Sequence, residues 1–222
     1  MVFMALSLTM KHIFCFFAAW LLLSKKLPLM KRALYAFVPP ILFLLSFVPF
    51  IIKNPDNLNG IIQNVFLYRS SNNSPLLRNL VLQPLNIPQS LYTVIFIILV
   101  CLVGYLTRER EIEYRILLYL LSFVAFASAM SNQYLAIPMV ALCVLGKKIR
   151  YVYMALIGYF LMWDDVGLDI NALYPENIRI PNSEYRSYFI ACLLLAIVIV
   201  KELEVGKLLG KIVNKSHMTK NI

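Results

Sequence analysis

Three short clusters hold the side chains that could do chemistry. Lys11 and His12 stand together inside an apolar block near the start of the chain. A charge at a bilayer centre costs about 2.5–3.5 kcal/mol on insertion scales. Lys11 therefore either snorkels to an interface or faces a hydrated cavity and meets an anion such as a lipid phosphate. Asp164 and Asp165 follow Trp163, with Asp169 beyond them. Paired carboxylates can bind a divalent cation or act as a general base; a solvated interfacial turn is the plainer use of them. Ser131-Asn132-Gln133-Tyr134 precedes Leu135-Ala136-Ile137-Pro138 as a polar turn between apolar blocks. Its amides and phenol could hydrogen-bond a sugar or a phosphate, or cap helix ends that lipid cannot satisfy. Tyr134 also fits an aromatic belt. His217 lies in the tail without a His or Cys nearby. No Walker A, HExxH, GxSxG or GxGxxG motif occurs, so soluble-enzyme chemistry is not indicated and no cofactor is called for beyond a divalent cation on the aspartates.

The elements that must position these residues are apolar. The chain has 222 residues, 61% of them hydrophobic and 14% charged, with a mean hydropathy of +0.75. Soluble domains average about 45–50% apolar residues. So few charges cannot cover so much apolar surface, and most of it must face lipid or other helices in lipid. The net charge of +10 would suggest nucleic acid in a soluble protein. Here the cations fall between apolar blocks and read as topology signals instead. Cys15, Cys101, Cys143 and Cys192 each lie inside an apolar block with no CxxC. Small buried hydrophobes explain them better than disulfides or a metal site. The first block lacks a basic n-region and carries Lys11 and His12 at its middle, unlike a cleavable signal peptide.

Seven apolar segments are expected as helices, at about 2–23, 33–52, 91–107, 114–131, 133–146, 151–163 and 188–204. A bilayer core of about 30 Å needs roughly 20 helical residues, so 133–146 and 151–163 are short, and a re-entrant hairpin is the alternative there. The cations test the count. With seven spans, one side receives fifteen: Lys25, Lys26, Lys31, Arg32; Arg108, Arg110, Arg115; Lys147, Lys148, Arg150; and Lys201, Lys207, Lys211, Lys215, Lys220. The other side receives five: Lys53, Arg69, Arg78, Arg179 and Arg186. This is the positive-inside pattern, with the N-terminus outside and the C-terminus cytoplasmic. An outside N-terminus of this kind is natural in the C-terminal part of a longer polytopic protein.

The expected organisation is one transmembrane domain over 1–204 and a basic cytoplasmic tail over 205–222, drawn to anionic lipid. Two proline-, asparagine- and serine-rich loops, about 53–90 and 164–187, lie outside. Within the first, Leu58, Ile61, Ile62, Val65 and Phe66 recur at helical spacing. They predict an amphipathic interfacial helix over 57–69, serving either as packing on the bundle top or as a lid over a lipid-linked substrate. Asn72-Asn73-Ser74 is a glycosylation sequon weakened by Pro75.

Three stretches in order resemble the GT-C glycosyltransferases that use polyprenyl-phosphate sugars. Ala5-Leu6-Ser7-Leu8-Thr9-Met10-Lys11-His12-Ile13-Phe14 is similar to their intramembrane lysine segment. Gly60-Ile61-Ile62-Gln63-Asn64-Val65-Phe66-Leu67-Tyr68-Arg69 is similar to the external segment that follows. Ser131 to Pro138 resembles their late hairpin. The resemblance covers most of residues 5–146. It implies an all-α membrane bundle of the GT-C type, in a mannosyltransferase-like enzyme. Such an enzyme moves a sugar from a polyprenyl-phosphate donor to a lipid-linked or protein acceptor on the extracytoplasmic face. By the same resemblance Lys11 contacts the donor phosphate, and His12, Tyr68, Arg69, Gln133 and Tyr134 line the cavity. The family's catalytic acid belongs to a first external loop that precedes the lysine segment; here Asp56 follows it. The acid is therefore expected on a missing N-terminal half or a partner subunit. The competing reading is a non-enzymatic membrane subunit or small transporter, against which stands the lack of an acid in the interior of any expected span, Glu202 and Glu204 lying at the end of the last.

Overall fold

The computed structural model describes residues 15–63, 75–88, 91–127, 132–146, 148–163 and 183–219. Among them every regular element is helical and there is no strand. The order is α1 (Cys15–Leu22), α2 (Leu29–Leu45), α3 (Val48–Lys53), α4 (Asn57–Ile61), α5 (Pro75–Leu77), α6 (Tyr92–Leu106), α7 (Ile112–Phe126), α8 (Pro138–Leu145), α9 (Ile149–Trp163) and α10 (Ser183–Thr219). A π turn, Arg78–Leu82, continues α5, and a 3₁₀ turn, Asn132–Ala136, leads into α8. Each of the seven expected apolar segments contains helix. Helix α10 runs unbroken through most of the expected tail, to Thr219.

Helix α7 is the hub. It packs against α1, α5, α6, α8 and α10. Leu118, Tyr119, Leu121, Ser122, Val124 and Ala125 are all wholly enclosed, so it is buried around nearly its whole girth. One aromatic chain ties α1, α6 and α7 together. Trp20 meets Tyr119 edge-on at 5.3 Å, and Phe96 meets both Phe16 and Phe123 at 5.6 Å. Such pairs add about 0.5–1.5 kcal/mol each beyond simple burial. Gly104 of α6 makes room for this chain. A Cβ there would lie 2.7–2.8 Å from the Trp20 indole, closer than packed atoms approach.

The outer helices carry apolar side chains on both faces. On α6, Phe96, Val100 and Val103 are buried, while Val94, Ile98 and Leu102 are exposed. On α10, Ala191, Leu195 and Val198 are buried, while Ile190, Ile197 and Val200 are exposed. Helices α2 and α3 form the extreme case. Together they make a 25-residue apolar helix, Leu29–Lys53, long and apolar enough to cross a membrane. Only 17% of its most apolar stretch is buried. Leu29, Phe37 and Ile52 are 75%, 57% and 77% exposed. Pro39 and Pro40 lie inside α2, where each removes a backbone donor.

The stretch from 53 to 90, expected as an external loop, includes a packed element. Leu76, Leu77 and Leu82 are buried, and α5 lies against α10 and α7. Pro75 at its head fits a first helical turn, where the N–H would have no partner anyway, and Pro84 follows its end. Asn86 takes a positive φ of 50° in the turn beyond, a conformation asparagine tolerates. Of the helix expected over 57–69, α4 is the described part; Leu58 and Ile62 are exposed there.

Candidate functional site

Two places in the bundle gather polar groups. The first is the 3₁₀ turn Asn132–Ala136. Here Leu135 is buried, Tyr134 is half-buried against the core, and Ile137 N–H donates to the Tyr134 carbonyl at 3.0 Å. Its depth follows from the helix pair beside it. Phe160, late in α9, meets Tyr188 and Tyr185, early in α10, with ring centroids 4.8 and 6.4 Å away. The two helices are therefore antiparallel. Further along α10, Glu202 accepts a hydrogen bond from Tyr114 at the head of α7. Tyr188 and Glu202 are about 21 Å apart along the axis at 1.5 Å per residue. Tyr153 lies about 10 Å from Phe160 toward the Glu202 end. Its hydroxyl donates to the Leu135 carbonyl at 2.8 Å. The turn is thus reached from about half-way along the bundle. The turn leads into α8, which has only eight residues, about 12 Å of helix.

The second place is the opposite end, where α1 and α6 terminate and α7 begins. Helix ends leave their last carbonyls without helical donors. Leu23 and Ser24 N–H turn to Ala19 and Leu21, and Thr107 and Arg108 N–H to Val103 and Tyr105. The Trp20 and Gly104 carbonyls are passed over, and Nη2 of Arg115 donates to both. Thr107 Oγ1 also donates to the Val103 and Gly104 carbonyls, at 2.8 and 3.3 Å. Arg115 is 0% exposed, and no carboxylate among the described residues pairs with it. Two helix C-termini, each carrying a partial negative charge, supply the opposing field.

Around this buried cation the two loops are joined. Lys25 N–H donates to the Arg108 carbonyl at 2.8 Å, Lys25 pairs with Glu109 at 2.8 Å, and Lys26 pairs with Glu111 at 2.9 Å. The hydrogen bond and charge of Lys25 hold the Glu109 carboxyl below the usual carboxylate range. Both pairs are well exposed and do more to fix loop geometry than to stabilise the fold.

Of the residues singled out by sequence, Gln133 and Tyr134 share the recessed turn. Lys11, His12, Tyr68, Arg69, Asp164 and Asp165 lie outside the described residues, as do Asp169 and Ser131. Among the described residues no cluster of His, Cys, Asp or Glu could hold a metal ion. Sequence reasoning missed the burial of Arg115 and counted it as an inner loop cation. It stands inside the core. The signal was present: Arg115, Leu118, Tyr119 and Ser122 are spaced as one helix face, and all four are 0% exposed. No family model, curated protein or solved structure matches this chain.

Proposed function

We propose that the chain is a multi-pass membrane bundle of seven helices, with N-terminus outside and C-terminus cytoplasmic, and that it serves as the C-terminal part of a glycosyltransferase using a polyprenyl-phosphate sugar. The apolar faces left exposed on α2, α3, α6, α9 and α10 support the membrane reading. In water they would form a patch far beyond the few hundred Å² a soluble monomer tolerates; in lipid they need no cover. The loop contacts agree with the charge count. The 23–28 and 107–111 loops and the Glu202 region of α10 meet at one end, the end expected to be cytoplasmic. Helix α8 is then a half-length span.

The observation that carries the transferase reading is the recessed turn. Non-helical backbone at membrane depth is tolerated where protein buries it or where it lines a water-filled cavity. Tyr134 stands half-buried at that depth, in the turn whose backbone Asn132 and Gln133 share, below the outer face where the donor sugar would stand. Lys11 would meet the donor phosphate, with the catalytic acid supplied by a missing half or partner subunit.

The test is donor-lipid binding to the purified full chain in lipid nanodiscs, with radiolabelled polyprenyl-phosphate mannose. Saturable binding is expected, weakened about tenfold, or about 1.4 kcal/mol, by Lys11→Ala and by Gln133→Ala. Absence of binding, or binding indifferent to both substitutions, would overturn the transferase reading in favour of a non-enzymatic membrane subunit.

A further inference from the structure

The basic end of the bundle holds more hydrogen-bond donors than the protein satisfies. Trp20 Nε1, Ser24 Oγ, Arg110 Nη2, and Nε and Nη1 of Arg115 are buried and have no hydrogen-bond partner among the described residues. Trp20, Ser24 and Arg115 are each 0% exposed. Trp20, Ser24 and Arg115 come from helix ends that meet, and Arg110 from the loop that leads into α7. The Arg115 guanidinium carbon lies 5.9 Å from the Trp20 ring centroid, Ser24 N–H is bonded to the Leu21 carbonyl at the end of α1, and Arg110 stacks over Tyr114, next to Arg115, at 5.1 Å.

The chemistry of the set is one-sided. Four of the five atoms can only donate, and the hydroxyl can do either. A buried donor left unpaired costs about 1–3 kcal/mol. A water molecule could accept from two of them but must then place two hydrogens of its own. The nearest known acceptors, the Trp20 and Gly104 carbonyls, are already taken by Arg115 Nη2. Of the carboxylates at this end, Glu109 pairs with Lys25, Glu111 with Lys26 and Glu202 with Tyr114, while Glu113 and Glu204 are exposed rather than buried with the set. What the set lacks is a group that only accepts and carries negative charge.

We propose that this end of the bundle binds a phosphate group through Arg115, Arg110, Trp20 and Ser24. Arg110, half-exposed at the rim, meets the anion first, and Arg115 beneath it fixes its depth. The phosphate is either the headgroup of an anionic lipid in the cytoplasmic leaflet or a free phosphate compound. The site lies at the opposite end from the recessed turn and does not depend on the transferase reading.

The experiment uses the full chain purified in mild detergent and stripped of lipid. Thermal unfolding is followed with inorganic phosphate, with phosphatidylglycerol mixed micelles, or with micelles of an uncharged glycolipid. A ligand that binds only the folded chain raises Tm by mass action. A Tm rise with phosphatidylglycerol alone supports the lipid source; a rise with inorganic phosphate as well supports the free compound. Arg110→Gln and Ser24→Ala should each weaken the half-maximal concentration about tenfold while leaving the ligand-free Tm nearly unchanged. Neither residue bridges helix ends as Arg115 does, so both variants should fold. No rise in either phosphate arm, an equal rise with the uncharged glycolipid, or an unaltered response in both variants would overturn the proposal.

Discussion

At the residue scale the sharpest consequence concerns Arg115. Its Nη2 serves two helix ends at once, so its removal strands the Trp20 carbonyl and leaves the Gly104 carbonyl to the 3.3 Å bond from Thr107 Oγ1. Arg115→Met should destabilise the chain by about 1–3 kcal/mol, read as a lower midpoint of thermal unfolding in detergent. Arg115→Lys keeps the charge but not the planar reach and should fall between the two. Gly104 gives a second test. Gly104→Val forces side-chain atoms into the Trp20 indole and should cost about 1–3 kcal/mol as overpacking. Adding Trp20→Leu should recover part of that loss, since the two residues share one contact. Glu109 gives a test by pH. Its carboxyl is held below the usual range by its hydrogen bond to Lys25 and the Lys25 charge, so its contribution is present above the ordinary carboxylate range and is lost as pH falls through the depressed value. Glu109→Gln should flatten the pH dependence of Tm in that acid window and leave it unchanged above. The enclosure of Arg115 was open to reading from its spacing with Leu118, Tyr119 and Ser122. The unpaired donors beside it were not, because they depend on which atoms of α1 and α6 arrive there.

At the element scale, the long apolar runs read as helices because their length and composition leave the backbone no other partner in lipid. Helix α7 shows the limit. Its apolar residues could equally have faced lipid, and only the packing of five neighbours makes it the hub. Helix α5 was invisible for a different reason. It is short, it sits between Pro75 and Pro84, and its burial comes from Leu76, Leu77 and Leu82 meeting α10 and α7 rather than from any repeat. The recess of the 132–136 turn was equally hidden. Depth is set by the register of α9 on α10 and by the brevity of α8, and neither is a local property. The Tyr153 hydroxyl is the only described bond from α9 to that turn's backbone. Tyr153→Phe should cost about 0.5–1.5 kcal/mol and loosen the turn. Hydrogen exchange at the Ile137 amide, whose bond to the Tyr134 carbonyl closes the turn, should rise in that variant while exchange across α10 stays unchanged.

At the scale of the whole molecule, the charge asymmetry and the fold make one joint claim about sidedness. The cation count puts Lys25, Lys26, Arg108 and Arg110 together on the cytoplasmic side. The loops bearing them are joined by two ion pairs and a backbone hydrogen bond. That contact does not depend on any membrane assumption: it puts the two loops at one end of the bundle, and the side that end faces is a matter for labelling. By the same cation count the residues of the 83–88 turn, after α5, are expected on the opposite side. Single cysteines placed in a cysteine-free variant decide between the orientations. In right-side-out vesicles Gln83→Cys should react with a membrane-impermeant maleimide, whereas Lys26→Cys and Glu111→Cys should react only after permeabilisation. Gln83 is exposed and clear of the packed leucines, and Lys26 and Glu111 are well exposed, so accessibility within the protein does not confound the result. Reaction of Lys26→Cys and Glu111→Cys from outside with Gln83→Cys protected would invert the topology and move the recessed turn to the cytoplasmic side. Equal reaction of all three before permeabilisation would mean that the bundle does not span the bilayer, and the exposed faces of α2, α3, α6 and α10 would then need a protein partner rather than lipid.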